Sequence, residues 1–332
     1  MDPLTQGVLG GALPRALAPK KHAGLALLLG LLAGMAPDLD VLIRSDSDPL
    51  LFLEYHRQFT HSLLFIPVGG LACAALLHPL FSARAGLGFR YTLLYCTLGY
   101  ATHALLDACT SYGTQLFWPL SQQRFAWNNV SVIDPLFTLP LGLLLLLSLS
   151  SRKALYARMA LVWALAYLGT GVLQRDRAEA FGYQLAASRG HQPERLAAKP
   201  SFGNILLWKV VYETEDMFYV DAVRTGLGLS AFPGDKVAKL DVARDFPWLA
   251  PETQQARDIE RFRWFSDDYL AVDPANPQRV TDIRYSLLPN RVRGLWSIEL
   301  RPQAAADAHV SYVVSRAADD ATLAAFKRML FN

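Results

Sequence analysis

The chain has 332 residues, of which 52% are hydrophobic and 18% charged, and its formal net charge is +3. An average soluble domain carries about 25% charged residues, and here the shortfall is confined to the first 173 residues, where long apolar runs follow one another. So small a net charge, with no Lys/Arg tract interleaved with aromatics, argues against a nucleic-acid partner, and Cys73, Cys96 and Cys109 form neither a disulfide framework nor zinc-finger spacing.

The opening MDPLTQG has an acid at position 2, no basic region and no cleavage site after a short apolar core, so the first apolar segment is expected to be retained. Apolar stretches suited to membrane spans then run near 22–36, 62–81, 89–109, 132–150 and 154–173, to be compared with the ~20 residues a bilayer helix needs. The first is short before Pro37. It reaches full length only if Asp38 and Asp40 sit at membrane depth, or if Gly7–Leu13 packs beside it. With five crossings, Arg15, Lys20, Lys21, Arg84, Arg90, Arg152 and Lys153 fall on one side and Arg44, Arg57 and Arg124 on the other. Positive charge near span ends stays cytoplasmic, which puts the N-terminus inside and the C-terminal domain outside.

Composition changes near Leu173–Gln174, giving a transmembrane helical domain over 1–173 and a soluble domain over 174–332. Arg175–Pro200 reads as polar and helix-like. Strands are predicted in LLWKVVYE, MFYVDAVR, RFRWF (261–265), TDIRYSLL (281–288), RGLWSIELR (293–301) and HVSYVVSR (309–316), with a closing helix over 321–330 that Asp320 would cap. The expected fold is a polytopic α-helical membrane bundle of about five spans followed by a small, sheet-rich α+β domain.

Ionisable groups at membrane depth cost about 2.5–3.5 kcal/mol each on translocon scales and demand an explanation. The candidates are Asp38 and Asp40 in PDLD, His56 and His61 in HRQFTHS, and His103 and Asp107 in HALLD. In the five-span topology all reach one membrane face. His103 and Asp107, four apart in a helix, project from one stripe and can share a ligand. His56 and His61, five apart, would diverge on a helix, so either the segment is a loop or only one of them binds. Imidazoles with carboxylates and no thiolate suit a divalent ion, zinc first, with manganese or iron as rivals. Such an ion would lower the pKa of a bound water to about 7 and polarise a phosphoryl or acyl oxygen. Arg57 offers a guanidinium fork for an anionic group. Asp134, beside Pro135, reads as a helix start, and His22, His78, His191 and His309 as ordinary surface or interface residues. The same polar residues would also serve a hydrogen-bonded network without metal.

The MDPLTQG start, PDLD, HRQFTHS and GYATHALLDACTSYGT together resemble the YdjM-like family of membrane-bound proteins described as metal-dependent hydrolases, over roughly residues 1–170. The resemblance implies a polytopic inner-membrane protein with a metal site at Asp38, Asp40, His56, His61, His103 and Asp107. Many relatives have Thr-His where this chain has Thr5–Gln6, so a ligand at that position is not carried over. The reading that follows is a hydrolase acting at the outer membrane–water interface on a lipid-linked ester or phosphoester. Asp38, His56, His61, His103 and Asp107 would bind metal, Asp40 would act as base, and Arg57 would orient the substrate. Its rivals are a non-enzymatic scaffold or regulator, whose outer domain binds a protein partner the sequence does not identify, and a proton or metal transporter.

Overall fold

The computed structural model describes residues 1–331. The chain divides into two compact units, the first made of Met1–Ile43, Tyr55–Val172 and Phe202–Asn204, the second of Arg44–Glu54, Leu173–Ser201 and the chain from Ile205 onward.

The first unit opens with α1 (Pro3–Leu17), a helix that the sequence reading offered only as a packed-in alternative over Gly7–Leu13. Its start is well specified. Pro3 fits the first helical position, where no N–H is needed, and the Asp2 carboxylate accepts from Thr5 N at 3.0 Å. α1 packs along α2 (Ala23–Met35), and α5 (Phe89–Cys109) packs against both. Glycine makes this approach possible. A Cβ on Gly30 would collide with Pro14 and the Gly10 carbonyl, and one on Gly99 with the Gly30 carbonyl. Small residues let helix backbones touch where apolar burial between helices drives little. Beyond Met35, α2 tightens around Pro37 into a 3-10 turn, Ala36–Leu42, so the helical stretch continues through Asp38 and Asp40.

Among the described residues, three helical stretches are long and apolar enough to cross a membrane: Lys20–Leu42, Leu63–Ala85 and Ala154–Ser188. The second consists of a 3-10 turn, α4 (Ile66–Leu77) and two further helical turns. The other two predicted spans are helical but differ in kind. α5 has 21 residues and carries Arg90, His103, Asp107 and several Tyr and Thr, whereas α6 (Pro135–Ser150) is apolar but has only 16. The predicted count of about five therefore resolves into three stretches that satisfy both length and apolarity. Asp134 caps α6, accepting from Leu136 N at 3.1 Å and from Tyr167 OH at 2.8 Å. α7 (Ala154–Ser188) runs 35 residues, well past the predicted end at 173.

Among the described residues, the second unit holds two antiparallel sheets. In the first, β1 (Arg195–Pro200), β2 (Leu207–Glu213), β3 (Met217–Thr225) and β4 (Leu229–Phe232) follow in order, and β5 (Lys236–Ala238) also pairs with β3. The short α8 (Val242–Asp245) and α9 (Gln254–Ser266) come next. β6 (Leu270–Asp273), β7 (Asn276–Asp282), β8 (Trp296–Glu299) and β9 (Ser311–Val314) form the second sheet, and α10 (Asp320–Phe331) closes the chain. The segment α3 (Leu51–Tyr55) sends Leu53 into the same core as Phe246, Ile259, Phe262, Ile298 and Leu300.

Several predicted elements change here. RFRWF is helical, because Ile259, Phe262 and Phe265 recur at helical spacing into the core and the Thr253 hydroxyl caps the helix start. TDIRYSLL leaves its strand after Asp282, where the side chain of that residue turns back to bond Arg284 N at 3.0 Å. The cap of α10 is Asp319 rather than Asp320, since its carboxylate accepts from Thr322 N at 2.8 Å.

Candidate metal centre

The close contact of Gly99 with α2 sets the site, because it brings the next turn of α5 beside the end of α2. His103 Nδ1 there donates to the Gly34 carbonyl at 2.6 Å. A carbonyl only accepts, so Nδ1 carries the proton and the neutral ring keeps its lone pair on Nε2. Asp107, one turn on, projects from the same stripe, with Oδ2 3.8 Å from His103 Nε2.

His61 enters from a short 3-10 turn, Phe59–His61. Its Nδ1 faces Thr60 Oγ1 at 2.9 Å and Asp40 Oδ2 at 3.2 Å, and Thr60 Oγ1 itself donates to Asp40 Oδ2 at 2.7 Å. Nδ1 is thus the donor, and the His61 lone pair also falls on Nε2. That atom stands 2.9 Å from His103 Nε2, 3.2 Å from Asp107 Oδ2 and 3.6 Å from Asp38 Oδ1. His103 Nε2 lies 3.4 Å from the same Asp38 oxygen. Four donor atoms, from Asp38, His61, His103 and Asp107, so lie within 4.8 Å of one another, and all but Asp38 belong to buried residues.

Two imidazole lone pairs facing each other at 2.9 Å, ringed by two carboxylates, repel unless a cation or proton stands between them. Burial alone would lower the His61 imidazole, but Asp107, Asp38 and Asp40 outweigh it and raise it to about 10. In the apo protein a proton serves, and a divalent ion would replace it. Asp107 Oδ2 supports the fit: it accepts no well-formed hydrogen bond, although Arg57 Nε stands 3.0 Å away. The donor set, two nitrogens and two oxygens without sulfur, is one that zinc, manganese and iron all accept.

Around this point runs a supporting layer. The tight turn after Pro37 sets Asp38 and Asp40 against opposite nitrogens of the His61 ring. Asp40 accepts from His56 Nδ1 at 2.7 Å, Arg57 N at 3.1 Å and Thr60 Oγ1, besides its contact with His61. His56 belongs with Asp38 and Asp40 in a second group of facing donors, not with the four. Its side chain is 30% exposed. Burial, helped by the charge of Arg57, holds its imidazole below the ordinary value against the pull of Asp40.

Arg57 is buried and has a left-handed backbone, φ 65°, a conformation costing about 1–2 kcal/mol for a side-chain-bearing residue. The fold holds it there through two bonds, from Arg57 N to Asp40 and from Gln115 N to the Arg57 carbonyl at 3.0 Å. The guanidinium is turned inward as a result: Nη1 donates to Thr110 Oγ1 at 2.9 Å, Nε faces Asp107, and the group lies 5.2 Å from the Tyr112 ring centre. Gln6 donates to Asp107 Oδ1 at 2.8 Å, and the Met1 amine is paired with that same oxygen.

Sequence reasoning passed over Thr110, the Gly34 carbonyl and the Met1 amine. Thr110 carried a signal, three residues past Asp107 in DACT, but a backbone carbonyl leaves no trace in a sequence. The remaining histidines lie elsewhere, with His22 on Tyr95, His78 on Thr92, His191 on Tyr212 and His309 on Asp258.

Among known proteins, residues 1–178 match the family model described as YdjM inner membrane protein. Over 110 residues the chain is 36% identical to the inner membrane protein YbcI of Escherichia coli (strain K12), a match covering 32% of this chain and 61% of that protein. No solved structure matches.

Proposed function

The chain belongs to the YdjM inner membrane protein family, and from that premise we propose a metal-dependent hydrolase acting on a lipid-linked ester or phosphoester at the membrane surface. The observation that carries the proposal is the convergence of His61 Nε2 and His103 Nε2, 2.9 Å apart, upon two carboxylates. Asp38, His61, His103 and Asp107 would hold the ion, which supplies Lewis acidity for a phosphoryl or acyl oxygen. Zinc is the first choice, with manganese and iron as rivals.

The supporting residues divide the remaining work. Arg57, charged and buried beside Asp107, would draw an anionic group to the site and hold it. The base moves from Asp40 to His56, because Asp40 already accepts from four neighbours and has little left with which to take a proton. By holding the proton on His56 Nδ1, Asp40 leaves Nε2 of a part-exposed imidazole able to receive one. A lipid substrate is favoured by Leu39 and Leu42, 63% and 75% exposed within the same turn as the two acids. We also propose that α5 and α6 complete five crossings. The N-terminus would then be cytoplasmic and the region after α7 extracytoplasmic.

A second reading has an observation in its favour. Asp107 is already faced by Arg57 and the Met1 amine, and Asp38 and Asp40 by a protonated His61, so the cluster can stand as a charge-balanced network in a scaffold or regulator. The test is hydrolysis of a panel of lipid phosphoesters and esters by vesicle-reconstituted protein reloaded with zinc or manganese. Turnover that Asp38→Asn and His56→Gln both abolish supports the enzyme. Metal-loaded protein inert toward the whole panel moves the scaffold to first place.

A further inference from the structure

The hairpin joining β3 to β4 has a tip whose chemistry differs from that of the unit bearing it. Residues 225–234, TGLGLSAFPG, contain no charged side chain, whereas the turn at the other end of β3 reads Glu213, Thr214, Glu215, Asp216. Leu227, between Gly226 and Gly228, is fully exposed, and Leu229 and Leu206 are exposed to 40% and 38%. Single exposed leucines are ordinary on protein surfaces. Where these stand is what gives them meaning.

α7 fixes that position. A helix of 35 residues is about 52 Å long at 1.5 Å per residue, against a hydrocarbon thickness of about 30 Å. Its apolar part, residues 154–173, accounts for about 30 Å of that length, and Gln174, Arg175, Asp176, Arg177 and Glu179 follow at once. The bilayer boundary therefore falls at Leu173–Gln174. The hairpin is tied to the first turn beyond it: Gln174 Nε2 donates to the Thr225 carbonyl at 2.6 Å, and Arg177 Nη2 to the Gly226 carbonyl at 3.2 Å. Thr225 is itself immobilised, fully buried, with Oγ1 accepting from Trp208 Nε1 at 2.9 Å and N donating to the Leu206 carbonyl at 2.7 Å. Leu206, Leu227 and Leu229 are thus held beside the first polar turn of α7, which begins one residue past Leu173, itself 66% exposed.

We propose that the β3–β4 tip is a membrane-dipping element, with Leu227 seated in the headgroup–acyl boundary and Leu206 and Leu229 flanking it. Its occupant is the lipid surface that α7 leaves at this point, and the arrangement fixes the height of the sheet above the bilayer. The inference stands on the membrane placement of the family and is independent of the metal chemistry.

The test is nitroxide depth measurement on the full chain in phosphatidylethanolamine–phosphatidylglycerol vesicles. Cys96 and Cys109 are buried, so labels go onto Leu227→Cys, Leu173→Cys and Glu215→Cys in a Cys73→Ala background, with that background alone as control. The expected result is a Leu227 label relaxed more by oxygen than by a water-soluble nickel chelate, as at Leu173, with the order reversed at Glu215. A Leu227 label that favours the nickel chelate, is shielded from both agents, or broadens through a label on a second copy overturns the proposal.

Discussion

Buried charge is handled in opposite ways by the two units. In the second unit buried acids are closed off by cations of matching geometry: Asp282 by Arg284 at 2.8 Å, Asp221 by two nitrogens of Arg189, and Asp258 by Arg261 at 3.0 Å. In the first, three carboxylates and two imidazoles gather with Arg57, the Met1 amine and the proton held by His61 to balance them, and the facing imidazole nitrogens stay open to an ion that displaces that proton. A closed pair fixes a fold, while an open cluster has capacity left for a ligand. The difference teaches where to look for function in a chain with many buried charges: at the group of donors whose mutual contacts do not use up their valence.

The sharpest way to break the comparison is to open a closed pair. Arg284→Ala strands the buried Asp282, and should cost about 3–5 kcal/mol in the urea unfolding of the C-terminal region. Metal affinity at the open cluster should be unaffected. A cost under about 1 kcal/mol would place this pair with surface ion pairs and erase the contrast.

Within the open cluster, Asp40→Asn weakens the hold on His61 Nδ1 without removing a ligand. Metal affinity should fall about 10–100-fold, the usual cost of losing a supporting partner, as measured by competition with a chelating dye. No change would make Asp40 a bystander.

Acidity sharpens the picture further. With His61 raised to about 10 in the metal-free protein, an incoming ion displaces one proton anywhere below that pH. The apparent dissociation constant should then fall about tenfold per pH unit between pH 6 and 8. A flat titration would mean that His61 is not a ligand.

A last effect concerns an exception in the closed unit. Lys199 and Lys209 are paired across β1 and β2, and burial lowers each ammonium to about 7. Unfolded lysine titrates near 10.4, so from about pH 7 to pH 10 the unfolded chain holds more protons and stability rises with pH. The Tm of the C-terminal region should climb from pH 7 to 9 by on the order of ten degrees, and Lys199→Met should remove about half of that climb.

Much of this was legible beforehand. Apolar runs marked α2, α4, α5, α6 and the first part of α7, and the PDLD, HRQFTHS and HALLD motifs contain the four converging donors, because side-chain chemistry and i, i+4 spacing are written in the sequence. The division of labour was not. Whether Asp38 or Asp40 meets His103 depends on the pitch of one 3-10 turn, and the separation of His56 from His61 depends on a left-handed Arg57. α1 was hidden because its 15 residues, with Thr5, Gln6 and Arg15, are too short and too polar to read as a span, yet all three are buried inside the unit. RFRWF was misread because alternating aromatics mimic a strand when Ile259, one turn earlier, is left out of the window.

Elemental analysis of the detergent-purified chain, beside folded His103→Ala and Asp107→Ala variants, tests the central claim most directly. Near-stoichiometric transition metal in the wild type, lost from both variants, is the predicted result. A wild type that takes up no metal even after reloading with zinc and manganese would contradict the account and leave the cluster a structural network.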